Sequence, residues 1–369
     1  MKADVAIVGA GMAGASLAAE LAGAASVLIL EAESQPGYHA TGRSAAFWSE
    51  SYGGPLVQPL TSASGGFLAA PPPDFFDRPL MTRRGALHLA DAEGEDVLEA
   101  LLAEFAGSPV PLERLGREEL EQRIPGLRPG WDRAVFEPSC ADIDVAALHA
   151  AYLKRARARE AELVTDAMVT GARHDGRWTI ETTAGAFAAD ILVNAAGAWA
   201  DQVAALAGVA PLGITPYRRT IAQLRVAPAP PAELPLVIDA LERFYFKPEA
   251  GGRLWLSPHD ESPCAASDCA AEELDVATAI VRLEQAVDWR VERVEHAWAG
   301  LRSFASDRLP VYGFDPDQDA FFWCAGQGGF GIQTAPAAAK LAAAVLLGRT
   351  PDEMVAGIDP APYSAARFG

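Results

Sequence analysis

The chain has 369 residues, half of them hydrophobic, and carries 49 acidic against 30 basic side chains for a formal charge of −19. That length suits two or three units of ordinary domain size. The negative balance argues against a nucleic-acid partner or an electrostatically held membrane surface, since both attract positive charge. Four cysteines (Cys140, Cys264, Cys269 and Cys324) are too few and too dispersed for a disulfide framework, and none has CxxC spacing. Six histidines without an HxxxH or HxH pattern predict no metal site.

Lys2 and the alanine-rich run from Val5 to Leu30 imitate a secretory leader. Gly9, Gly11, Gly14 and Gly23 interrupt that run, however, and Glu20 lies inside it. A removable leader would not carry residues the fold needs, so the expectation is a cytoplasmic protein. No other apolar run reaches membrane-spanning length without a break, which predicts no integral membrane segment.

Asp4 to Val8 is a short apolar, β-branched run, the mark of a buried parallel strand. It leads into Gly9-Ala10-Gly11-Met12-Ala13-Gly14, then a helix to about Ala22, then a second strand from Ser26 to Leu30 that ends at Glu31. Each part has a task at a dinucleotide site. Gly9 permits the tight turn, Gly11 lets the backbone approach a pyrophosphate, and Gly14 lets helix and strand pack closely. The helix start offers free N–H groups to the phosphates. Glu31 can accept hydrogen bonds from a ribose diol and would repel a 2′-phosphate, which disfavours NADP. The motif alone does not separate NAD from FAD.

Next comes a stretch of small residues around Gly42-Arg43-Ser44-Ala45-Ala46, suited to close backbone approach, with Arg43 able to reach a phosphate. A helix is expected within Pro55 to Phe76, a strand at Gly85 to Leu89, and mostly helix from Glu93 to Glu121, broken near Pro109 and Pro111. Asp142 to Arg159 reads as a helix with Asp142 as N-cap. Strands follow at Glu162 to Arg173, Arg177 to Thr183 and Phe187 to Val193. The last continues through Asn194-Ala195-Ala196-Gly197-Ala198-Trp199 into a helix, so the chain is expected to return to the dinucleotide sheet. Residues 215–299 change character: prolines cluster, and short strands at Tyr217 to Val226, Phe244 to Phe246 and Leu254 to Ser257 precede a helix from Glu272 to Val287. A strand at Ala320 to Ala325, a glycine turn from Gly326 to Gly331 and a helix from Ala335 to Leu347 close the reading. The fold class is therefore α/β, a Rossmann-type domain joined to a second, largely antiparallel domain.

Taken in order, Gly9 to Gly14 with Glu31, Gly42 to Ala46, Asn194 to Trp199, Trp298-Ala299-Gly300-Leu301-Arg302 and the glycine turn into Gln333-Thr334 resemble the FAD-dependent D-amino-acid oxidase and dehydrogenase superfamily, which includes glycine and sarcosine oxidases. Gln35-Pro36-Gly37-Tyr38-His39, Ser51-Tyr52-Gly53, Phe244-Tyr245 and Gly331-Ile332-Gln333-Thr334 bring the likeness closest to bacterial D-arginine dehydrogenases. The resemblance implies non-covalent FAD, held by Gly9, Gly11, Met12, Ala13, Gly14, Glu31, Gly42, Arg43, Ser44, Ala45 and Ala46. Val169 would border the adenine. Ala195, Gly197, Trp199, Gly329, Gly331, Ile332, Gln333 and Thr334 would approach the ribityl chain and the ring. It implies an FAD-binding domain of 1–80, 140–213 and 298–369, and a substrate domain of 81–139 and 214–297.

The implied chemistry is oxidative deamination of a small amino acid, with Cα–H leaving as hydride to flavin N5 and the imino acid hydrolysing to a 2-oxo acid. Oxygen or a quinone would take the electrons. Such a reaction needs a fixed carboxylate, and arginine's fork matches one with two bonds. Arg219 and Arg302 are the expected clamp, with Arg218 able to replace Arg219 by register. Tyr52 and Tyr245 would donate or close the pocket, and Gln333 would bond flavin or substrate. Where D-arginine enzymes carry a glutamate for a cationic side chain, this chain has Gly85; where they carry a histidine, it has Phe47. A buried cation without its carboxylate is costly, so neutral D-amino acids are expected. Alternatives are an N-methyl amino acid or 2-hydroxy acid substrate, a flavin-binding subunit of a larger complex, or an NAD-binding protein.

Overall fold

In the computed structural model, which describes residues 2–369, the strand Lys2–Val8 lies in the middle of an eight-stranded sheet. Gly185–Asn194 and Val27–Leu30 flank it in parallel, and Phe321–Ala325 and Glu162–Val164 extend this parallel core on either side. The chain thus returns twice to the sheet it began, as the later apolar runs predicted. Val27–Leu30 and Phe321–Ala325 are apolar throughout and fully buried because both faces of the core are covered there. On the side of Gly185–Asn194 away from Lys2–Val8, Trp178–Thr182 and Val169–His174 add an antiparallel extension beside its first half, and Val311–Phe314 pairs antiparallel with Phe321–Ala325 beside its second.

The helix Met12–Leu21 is made of small residues and leucine, with only Ala13 and Glu20 short of full burial. It packs between the helices Val145–Ala158 and Ala335–Leu347; Leu17, Leu21, Tyr152 and Leu341 share one apolar core. Gly14 makes that packing possible, because a Cβ there would lie 1.9 Å from the Gly9 carbonyl oxygen.

The second sheet has nine strands, and its pairings are antiparallel except one. Thr215–Ala227 pairs with Arg290–Phe304 along its whole length, and Leu236–Asp239 runs parallel to Ala86–Ala90. That parallel pairing joins residues 86–137 to residues 215–304. The helix Glu273–Ala286 covers one face with Val276, Ala279 and Leu283. A three-stranded sheet of Phe47–Trp48, Ala141–Ile143 and Met81–Arg83 sits between the two large ones.

Several sequence expectations need correction. The helix over residues 145–158 is capped by Asp144, whose carboxylate accepts the Ala147 N–H at 3.0 Å. Asp142 is instead engaged by Arg84 and Lys247. The single strand expected from Glu162 to Arg173 is two, Glu162–Val164 and Val169–His174, separated by Asp166 at φ 54°. Residues 93–121 hold two short helices, Glu95–Glu104 and Arg117–Arg123, with the strand Glu113–Gly116 between them. The boundary expected at 298 falls inside the continuous strand Arg290–Phe304, whose charged first half hid its strand character. Among the described residues, no helix is long and apolar enough to cross a membrane.

Candidate active site

A cleft of about 390 Å³ opens at the C-terminal ends of the parallel strands and runs to the second sheet. The crevice outside those strand ends is where open α/β sheets take their ligands. At its first end lie Gly9, Gly11, Met12 and Ala13. Gly9 has φ 101°, and a Cβ there would meet the Ala195 carbonyl oxygen at 2.5 Å. The helix starting at Met12 has no side-chain cap and no acid in its first turn. Glu31 is buried at the end of its strand, where its two carboxylate oxygens accept the Ala10 N–H at 2.7 Å and the Glu33 N–H at 3.0 Å. Val169 borders the same end. Ser44, Ala45, Ala195, Gly197 and Trp199 line the middle, and Gly329, Gly331 and Ile332 line the far side. Asn194 fixes the second strand-to-turn unit by donating to the Ala200 carbonyl at 2.7 Å and accepting the Ala196 N–H at 3.3 Å.

The other end of the cleft is built on the paired strands Thr215–Ala227 and Arg290–Phe304. Arg219 faces Gly300 and Arg302 faces Tyr217 across the ladder. Directly paired residues share a face, so both guanidiniums project to the same side. Arg218 points to the opposite side and pairs with Asp260, Glu272 and Asp275. The alternation of the strand therefore decides between the two arginines: Arg219 lines the cleft and Arg218 does not.

Arg219 is 7% exposed. Its Nε donates to the Asp260 carbonyl at 2.8 Å, while its Nη1 is buried with no partner. Burial, then the neighbouring Arg302 charge, pushes this guanidinium below its ordinary value. Arg302 Nη1 donates to the Tyr52 hydroxyl at 2.7 Å. Among the described residues no carboxylate pairs with either guanidinium. Gly329 clears the space beside them, since a Cβ there would lie 2.1 Å from the Tyr52 hydroxyl and 3.2 Å from Arg302 Nη1. Tyr245 lies against Phe47 and His259, with ring centroids 6.4 and 5.4 Å away. Burial, then Arg219 and Arg302, pushes the His259 imidazole down to about 2. A site holding two cations and no anion of its own is built to take an anion, and the planar fork suits a carboxylate.

Not every expected residue reaches the cleft. Gly14 and Gly42 serve backbone packing, with Gly42 set against the Gly37 carbonyl. Ala46 donates its N–H to the Ser44 hydroxyl instead of facing the cleft. Arg43 borders the cleft, but its guanidinium is taken by Asp268 and by the carbonyls of Cys269 and Ala299. Gln333 corrects the expectation most. It is buried, and it accepts the Ser49 N–H at 3.1 Å while donating to the Tyr52 carbonyl at 3.2 Å and the Thr61 hydroxyl at 3.0 Å. Those bonds use both of its N–H donors, and the buried side chain does not line the cleft. Thr334 is likewise buried and donates to the Phe330 carbonyl at 2.9 Å.

Thr41 and His149 were not anticipated. The Thr41 hydroxyl accepts the Met12 N–H at 2.9 Å, and His149 Nε2 meets the Ala10 carbonyl at 2.8 Å. Both hold the glycine turn, and neither has a spacing signal that a lone sequence would reveal. The cleft fits a dinucleotide: a helix start with no acid in its first turn for phosphates, a buried carboxylate for a ribose, and small residues where the backbone must come close.

Residues 4–345 match the family of FAD dependent oxidoreductases called DAO. The chain is 26% identical to glycine oxidase of Geobacillus kaustophilus, covering 99% of this chain and 97% of that protein. A crystal structure of glycine oxidase from that organism has the same architecture, with a TM-score of 0.85 over 98% of both chains. Glycine oxidase of Pseudomonas aeruginosa is 30% identical over 267 residues, 69% of this chain and 68% of that one. A structure of L-proline dehydrogenase from P. horikoshii, at 19% identity, shares the fold, with a TM-score of 0.84 over 100% of this chain and 98% of that one. The chain belongs to the DAO family of FAD-dependent oxidoreductases.

Proposed function

We propose that this enzyme oxidatively deaminates a small, neutral D-amino acid to an imino acid, which water converts to a 2-oxo acid and ammonia. One observation carries the reading: the buried Arg219 and the half-buried Arg302 share a face at the end of the cleft with no carboxylate partner among the described residues, and Nη1 of Arg219 has no hydrogen-bond partner at all. Together they would bind the substrate carboxylate, and the Tyr52 hydroxyl would hold Arg302 in place for it. Bound FAD supplies the acceptor for the two electrons released as the Cα–H bond breaks.

The rest of the pocket supports a small, uncharged side chain. Tyr245 lines the cleft beside the two arginines, with Phe47 packed against both Tyr245 and Tyr52, and no acid stands among these rings to hold a cationic substrate. The relatives named glycine oxidases agree with a small substrate. Neutral His259 behind Tyr245 adds no charge that would compete for the substrate's ammonium or carboxylate. Oxygen or a quinone as final acceptor belongs to the same reading. So does a cytoplasmic location, which four free thiols support.

Steady-state kinetics on glycine, D-alanine, L-alanine, sarcosine and D-lactate test the proposal. D-alanine or glycine should give the highest kcat/KM. A clear preference for sarcosine or D-lactate would replace the amino acid by an N-methyl amino acid or a 2-hydroxy acid.

A further inference from the structure

Outside the cleft, the most unusual buried group is Glu137. It ends the strand Arg133–Glu137 of the second sheet and is fully buried. A buried carboxylate normally keeps a cation beside it, yet no lysine or arginine bonds this one among the described residues. Its oxygens take hydrogen bonds only: Oε1 accepts the Glu50 N–H at 2.6 Å, and Oε2 accepts the hydroxyls of Ser49 at 2.8 Å and Ser51 at 2.5 Å. The Ser139 hydroxyl adds a longer contact to Oε1 at 3.4 Å. Three of these four donors sit on the turn that immediately precedes Tyr52.

Gln333 grips the same turn from the other side, through the Ser49 N–H and the Tyr52 carbonyl. The Ser49 N–H and hydroxyl, the Glu50 N–H, the Ser51 hydroxyl and the Tyr52 carbonyl are thus each held by one of two buried side chains. One belongs to the second sheet, the other to the glycine-rich turn of the first. What the turn delivers is the Tyr52 hydroxyl, 2.7 Å from Arg302 Nη1. The tolerance there is small, because Gly329 leaves no room even for a methyl group beside that hydroxyl.

We infer that Glu137 is a positioning residue for the substrate carboxylate site: it locks the Ser49–Tyr52 turn so that the Tyr52 hydroxyl holds Arg302 in its clamping orientation. The inference rests on the carboxylate-clamp reading above. Glutamine can stand in for this glutamate, because its carbonyl can accept the Glu50 N–H while the two serine hydroxyls rotate to accept from its amide. Alanine cannot.

The test uses the FAD-loaded enzyme and propionate, which has the carboxylate of a small amino acid but no amine. Propionate Kd is read by titration calorimetry, alongside KM and kcat for D-alanine, for Glu137→Ala, Glu137→Gln and Arg302→Ala. Glu137→Ala should raise propionate Kd and KM about tenfold while kcat stays within about twofold, the loss expected when one clamp bond is misplaced. Glu137→Gln should return both constants to within about threefold of wild type. If Glu137→Ala does not fold, the Ser49→Ala/Ser51→Ala double variant takes its place with the same expectation. Unchanged propionate Kd in Glu137→Ala or its replacement, with Arg302→Ala weakened, overturns the inference alone. Unchanged propionate Kd in Arg302→Ala overturns the clamp reading on which it rests. Equal losses in Glu137→Ala and Glu137→Gln also overturn the inference, because the hydrogen-bond pattern would then not be what matters.

Discussion

Arg219 and Arg302 sit diagonally across one antiparallel ladder, Arg219 opposite Gly300 and Arg302 opposite Tyr217, with both guanidiniums on the cleft side. Neighbours of this kind lie roughly 7–8 Å apart at Cα, within reach of two long side chains converging on one small anion. Like charges so placed repel, and burial adds to the cost. The arrangement is tolerable when an anion completes it.

Removing either arginine should therefore be felt in binding. Hydrogen bonds to charged groups contribute about 1.5–3 kcal/mol, so Arg219→Ala and Arg302→Ala should each raise KM by roughly ten- to a hundredfold. Tyr52→Phe, which deletes only the acceptor for Arg302, should raise it about tenfold, the low end of the same range. Arg218→Ala should leave KM within about twofold yet lower the melting temperature, since it breaks three ion pairs outside the cleft. Steady-state kinetics and thermal denaturation check these; an Arg218 variant with a KM defect as large as that of Arg219 would reverse the assignment.

The glycine turn gives a sharper structural prediction. A methyl group at Gly14 would overlap the Gly9 carbonyl oxygen, and that atom is backbone and has no room to retreat. Gly14→Ala should push the helix off its strand and abolish FAD retention, measured as the flavin-to-protein absorbance ratio after purification. Gly66→Ala, in the helix Gln58–Ala69 where a Cβ meets nothing within 4 Å, should retain FAD in full.

Acid should destabilise the enzyme through its buried histidines, His88, His149 and His259, each held below its ordinary value first of all by burial. Burial lowers His88 to about 4, and burial with the two clamp arginines lowers His259 to about 2. Below the unfolded value of 6.5 the unfolded chain takes up protons that the native state refuses. Stability is thus full above that pH and falls as pH drops towards 4, then further for His259. Each group contributes a slope of at most about 1.4 kcal/mol per pH unit. His259→Asn, which tolerates the left-handed backbone at φ 55°, should flatten the pH dependence of the urea midpoint between pH 6.5 and 4. The same slope in the variant would remove His259 from the account.

Basic substrates should perform poorly. Gly85, near which the likeness to D-arginine dehydrogenases would set a glutamate, has φ 79°, and a Cβ there would meet the Phe136 ring at 2.6 Å. The position is closed to a side chain, and no acid stands among the rings of Phe47, Tyr52 and Tyr245. D-arginine and D-lysine should fall well below D-alanine in kcat/KM; the reverse order would contradict the pocket reading.

The first half of the site was legible in the residues themselves. Gly9 to Gly14, the strand on either side and Glu31 form a local signal within about thirty residues, and each glycine answers a backbone demand. The apolar runs at 190–193 and 320–325 were equally plain, because buried parallel strands carry unbroken hydrophobicity. The substrate end was harder. Choosing Arg219 over Arg218 required the strand's phase, which a sequence leaves ambiguous by one residue. The strand Arg290–Phe304 was hidden by the charges of its exposed half. Gln333 was misjudged because a polar residue beside a glycine turn looks like a ligand group until its partners, Ser49, Tyr52 and Thr61, are known. Glu137 gave no signal at all, since its three main contacts lie nearly ninety residues away in the chain.

The most direct measurement is the visible spectrum of the FAD-loaded enzyme under anaerobic conditions, while glycine and the D and L forms of neutral and basic amino acids are added in turn. The account predicts rapid bleaching of the oxidised flavin band by a small neutral D-amino acid or glycine, and none by L-amino acids or D-arginine. A flavin band that no amino acid bleaches, or that D-arginine bleaches first, would contradict it.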